Sequence, residues 1–231
     1  MNHFTAETMP RFVTERDLLQ TFLPSTTYAN SSLYCSLHFG SRTPPRSVRH
    51  WYTFVEDARR YQVRDYNIFP PLNVRDHTVE IVNEESLLQL MDKTILTIIR
   101  NIWDHRSVSV FKINGTSRVN WHLTNNNGRA IVCVSLKPCW ALRTNNYVDA
   151  VLEYEKGETD FYNYVNNMYD YMLDLGLRYG ILTTYDSTWF MRRSFEDESI
   201  LEISRCHDIE TDYSLLSWNY IIHLGSISRP W

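Results

Sequence analysis

The 231-residue chain has little of what marks the extreme sequence classes. With 7 Gly and 8 Pro it is neither a low-complexity nor a collagen-like sequence. Its four cysteines, Cys35, Cys133, Cys139 and Cys206, are too sparse for a disulfide framework. Cys35 and His38 form one CxxH pair, but no second pair follows at zinc-finger spacing, so a structural zinc is not expected. Met1 to Asp17 lacks an apolar core of the secretory type, and no run approaches 18 apolar residues. The expectation is a soluble intracellular protein, nuclear or cytoplasmic, with no membrane partner. There is no Gly-rich phosphate loop, no kinase signature and no nucleophile elbow.

The composition that remains is globular: 43% hydrophobic, 22% charged, with 15 Tyr and 7 Trp. A net charge of −4 gives no global attraction to nucleic acid, yet the charge is uneven. Residues 1–78 hold 9 basic and 7 acidic residues, a balance of +2, against 14 and 20, or −6, in the rest. All nine are Arg, with Arg42, Arg46 and Arg49 beside His50. Such a run could contact phosphate, but is more often a solvated face.

Proline pairs and a Ser/Thr-rich stretch punctuate residues 1–78, which read as an irregular N-terminal extension packed on the core, with short elements near 13–22 and 51–61. A domain over 79–231 shows clear periodicity. Asn83 is an N-cap, Glu84 and Glu85 fill the first turn, and apolar residues at helical spacing predict a helix over 84–102. Strands are predicted at 108–113, 118–123 and 130–136, the last two joined by an Asn125–Gly128 turn. A helix over 159–175 ends at Gly176, strands follow at 179–185, 188–192 and 200–203, and a helix covers 212–224. This order predicts an α/β fold with a mixed central sheet.

The hairpin brings Asn120, Ser135 and Lys137 to one end. In metal-dependent nucleases of the restriction-endonuclease superfamily, that place holds a strand Asp, and a Glu or Asp two residues before a Lys. Phosphodiester hydrolysis needs the phosphate charge neutralised and a water activated. Magnesium needs hard oxygen ligands, chiefly carboxylates, and the Lys stabilises developing charge.

More closely, several segments resemble the nuclease-like module of fungal Crinkler-type proteins over roughly residues 80–225. They are Asn83–Leu87, Val119-Asn120-Trp121, Val134–Leu142, Met168–Met172, Arg178–Tyr185 and Thr188-Trp189-Phe190. The resemblance implies a restriction-endonuclease-like α-βββ-α-β core with a mixed central sheet. It also implies an effector-like role and, in many relatives, a kinase domain downstream. The family's strand Asp matches Asn120, its Glu matches Ser135, and a Gln matches Asn167; Lys137 and a helix acid, Glu84 or Glu85, remain. The resemblance therefore implies a pseudo-nuclease that binds nucleic acid or protein without cleavage and without a cofactor. Lys137, Arg118, Arg143, Arg42, Arg46 and Arg49 would contact phosphate. The alternatives are a weakly active nuclease using Mg²⁺ held by Glu84 or Glu85, and an effector-like protein-interaction module.

Overall fold

A computed structural model describes residues 13–21, 23–29, 43–63, 69, 78–104, 106, 108–112, 119–142, 149–157, 159–210 and 214–228. In its first half the elements are α1 (Glu15–Leu19), β1 (Thr26–Tyr28), β2 (Ser47–His50), α2 (Phe54–Arg60), β3 (Val79–Ile81), α3 (Glu84–Lys93), α4 (Ile95–Asp104) and β4 (Val108–Lys112). Next come β5 (Trp121–Asn125), β6 (Ala130–Leu136), α5 (Cys139–Leu142), α6 (Ala150–Glu155) and α7 (Asp160–Asp174). The last are β7 (Tyr179–Thr183), β8 (Ser187–Arg193), β9 (Ile200–Ile203), β10 (His207–Asp208) and α8 (Ser214–Ile227).

A mixed sheet runs in the order β2-β9-β8-β7-β6-β5-β4, with β10 pairing on β8. The strands β4, β5 and β6 form an antiparallel meander. The chain then crosses through α5, α6 and α7, so β7 returns parallel to β6. β1 and β3 make a separate parallel pair.

Alternation along the strands divides the core between two faces. Val134, Leu136, Ile181 and Phe190 pack with residues of α1, α2, α3, α4 and α8. Cys133, Leu182, Trp189 and Met191 pack with α5, α6 and α7. Two glycines set the spacing of these layers. A Cβ on Gly180 of β7 would stand 2.9 Å from Met168 Cε and 3.0 Å from Met172 Sδ on α7. A Cβ on Gly225 of α8 would meet Val132 Cγ2 at 2.7 Å and the Ile131 carbonyl oxygen at 2.9 Å.

The α7 helix follows its sequence signals closely. The Thr159 hydroxyl accepts the Tyr162 N–H at 3.1 Å, capping the start. At the other end Gly176 has φ +59, and the N–H groups of Gly176 and Leu177 return to the carbonyls of Leu173 and Met172. That is a Schellman stop. The single helix expected over 84–102 is instead two, α3 and α4, broken at Thr94 (φ −112, ψ −95). The hydroxyls of Thr94 and Thr97 take the carbonyls of Leu90 and Asp92, at 2.6 and 2.7 Å. The Leu90 carbonyl also keeps the Thr94 N–H at 3.0 Å, so the threonine hydroxyls supplement the backbone bonds at the break.

The N-terminal 78 residues contribute β2 to the main sheet, in parallel register with β9 from Ser47↔Ile200 to His50↔Ile203. α1 buries Leu18, Leu19 and the Glu15 carboxylate. Glu15 is paired with Arg106 and receives Asn219 Nδ2 at 3.0 Å, so this buried charge ties α1 to the end of α4 and to α8.

Candidate functional site

The β5–β6 hairpin is built from its turn. Gly128 has φ +71, and Asn125 Oδ1 accepts the N–H groups of Asn127 and Arg129, each at 3.1 Å. Trp121 then lies opposite Val134, and the register brings Asn120 opposite Ser135. At this end the backbone N–H of Asn120 donates to the Val134 carbonyl at 2.8 Å. The N–H of Leu136 donates to the side-chain Oδ1 of Asn120 at 2.7 Å. The N–H of Lys137 donates to the Thr183 carbonyl on β7 at 2.8 Å. Ser135 is buried, and strand alternation gives it the same face as Cys133, toward α7. The Lys137 ammonium lies 5.3 Å from the centroid of the Tyr164 ring on α7, a cation–π arrangement. Asn120, Ser135 and Lys137 therefore meet at one end of the sheet.

The donor set there does not fit a magnesium ion. The Asn120 oxygen already accepts a backbone N–H, and the Ser135 hydroxyl brings no charge. A small, strongly hydrated dication is held through carboxylates. Among the described residues, no group of three or more His, Cys, Asp or Glu side chains is placed to hold a metal ion. Glu84 and Glu85 stand in the first turn of α3, where Asn83 and Ser86 form a capping box and Glu85 accepts Gln89 Nε2 at 3.3 Å.

One carboxylate near the same strand ends is absent from the sequence reading. Asp186 lies in the β7–β8 turn beside Tyr185, a buried non-glycine residue at φ +79. Its oxygens accept the Thr26 hydroxyl at 2.7 and 2.8 Å and also the Tyr28 hydroxyl. Burial pushes its carboxyl above the usual range. Asp186 thus anchors β1, and Tyr28 meets the Trp140 ring edge-on at 5.6 Å. No local pattern in the sequence announces this link, which spans 160 positions. A second feature the sequence hides is a hydrogen bond between His122 on β5 and the Tyr171 hydroxyl on α7, where burial lowers the imidazole's proton affinity.

The arginines separate. Arg46 and Arg49 belong to the β2 edge, four strands from β6, about 19 Å at the usual interstrand spacing. Arg46 is exposed and pairs with Asp197 at 2.5 Å. Arg42, Arg118 and Arg143 lie outside the described residues. No helix among the described residues is long and apolar enough to cross a membrane. No protein-family model, curated protein or solved structure matches the chain.

Proposed function

We propose that the chain is a non-cleaving binding module with a restriction-endonuclease-like core. The meander β4-β5-β6, the crossover through α7 and the parallel return at β7 support that topology. The observation that carries the functional reading is Asn120. It occupies the place where the resembling nucleases carry a strand carboxylate, and its oxygen is spent on the Leu136 N–H inside the fold. With Ser135 neutral two residues before Lys137, the hairpin end keeps a cation, and the two strand positions that would carry carboxylates are both neutral. Metal-assisted hydrolysis draws several kcal/mol of its barrier lowering from that charge, and each ~1.4 kcal/mol is tenfold in rate. What the arrangement retains is phosphate attraction at Lys137 on an ordered strand end, the chemistry of binding without cutting.

The experiment is a gain of function. The double change Asn120→Asp with Ser135→Glu places two carboxylates beside Lys137. Calorimetry should then show Mg²⁺ or Mn²⁺ binding that the natural chain lacks. Equal metal affinity in both proteins would show that these positions do not govern metal binding, and the reading would fall.

A further inference from the structure

Away from the hairpin end, the sheet carries a row on one face that starts at the buried Tyr179 on β7 and continues through the charged Arg192 on β8, Glu202 on β9 and Arg49 on β2, successive cross-strand partners. Arg192 is paired with Glu202, and its guanidinium lies 4.2 Å from the Trp51 ring centroid and 5.5 Å from that of Phe195. The buried Arg178 lies against Phe195 at 3.8 Å. Phe195 is nevertheless 61% exposed. A ring held on one guanidinium and flanked by a second is oriented before any ligand arrives, so little ordering entropy remains to oppose stacking on it. Hydrogen bonds from Ser199, and then Arg46 and the exposed Arg49, lower the proton affinity of the Asp197 carboxylate.

We infer that Phe195, with Arg192 and Arg49, forms a stacking platform for an unpaired nucleobase of single-stranded nucleic acid, on a surface separate from Lys137. The inference rests on reading the chain as a nucleic-acid-binding module and moves the main contact to the β2-β9-β8 edge. Charge bears on the choice of partner. Arg46, Arg49, Arg178, Arg192 and Arg193 share these strands and turns with Glu196, Asp197, Glu198 and Glu202, and Asp149 stands 3.3 Å from His50 beside Arg49, five against five on a chain of −4. Three of those acids are engaged by Arg46, Arg192 and Arg193. So balanced a local charge leaves affinity chiefly to stacking, which every base supplies.

The test is fluorescence anisotropy of a short labelled single-stranded oligonucleotide in EDTA at low salt. The proteins are the natural chain, Phe195→Ala, Phe195→Trp, Arg49→Ala, Lys137→Ala and, as a surface control, Ile227→Ala. Phe195→Ala should weaken binding about tenfold, the scale of one lost base stack, while Phe195→Trp restores it. Arg49→Ala should weaken it less, and Ile227→Ala should leave it unchanged. Because Phe195 is exposed, the variants should keep the natural circular dichroism spectrum. The inference is overturned if the natural chain does not bind, or if it retains only a protein partner through Phe195. Binding that ignores Phe195→Ala and falls with Lys137→Ala also overturns it, and leaves the module reading standing. Cleavage after magnesium addition, read separately on a gel, sinks the module reading alone.

Discussion

At the scale of single residues, the molecule sorts its polar groups by whether the fold consumes them. Asn120 closes the hairpin end, Asp186 fastens β1, and Glu15 joins three helices. His207 is a different case. It is buried edge-on to the rings of Phe54 and Phe190, with Nδ1 3.4 Å from the Ser217 hydroxyl and no partner at Nε2 among the described residues. Burial, with help from Arg205 and Arg59, lowers its pKa to about 4 from an ordinary 6.5. The folded state therefore favours the neutral ring. The associated stability is complete above pH 6.5 and is lost as pH falls toward 4. The shift corresponds to about 3 kcal/mol. Denaturant melts of the natural chain and His207→Leu across this range should show a steeper acid loss in the natural chain; parallel curves would refute the assignment.

At the scale of elements, legibility followed locality. β6 and α7 were readable because their signals are local: a continuous apolar run after Asn125–Gly128, and a Thr159 cap with a Gly176 stop. The break at Thr94 was not, because the Leu and Ile periodicity passes through it and only the threonine hydroxyls reveal it. The β2 strand was hidden for another reason. Four residues among prolines and arginines carry little pattern, and their partner, β9, lies more than 150 positions away. The candidate site was half legible. The hairpin register put Asn120, Ser135 and Lys137 together, whereas the row Arg192-Glu202-Arg49 exists only through long-range pairing. Layer spacing gives a graded test. Gly225→Ala meets a backbone oxygen and a stiff Val side chain, whereas Gly180→Ala meets the flexible ends of two Met side chains. Overpacking typically costs about 1–3 kcal/mol. Gly225→Ala should sit in the upper part of that range and Gly180→Ala below it; the reverse order in thermal melts would contradict the packing.

At the scale of the whole molecule, the N-terminal region is part of the sheet and the core. Removing residues 1–78 strips β2 from β9, leaves Arg106 without Glu15 and uncovers the side of α8 that packs against α2. Leu18 on α1 and Phe54 on α2 are buried, and each such side chain lost from the core costs about 1.5–3 kcal/mol, a large part of a typical domain's stability. The truncated chain should show poorly dispersed amide resonances and rapid proteolysis; a well-dispersed spectrum would show that 79–231 folds alone. The central claim, that this fold binds without cutting, meets its most direct test in calorimetric titration of the natural chain with Mg²⁺ and Mn²⁺, alongside incubation with DNA. The expected result is no saturable metal binding and no metal-dependent cleavage. Tight metal binding, with cleavage abolished by Lys137→Ala, would contradict it.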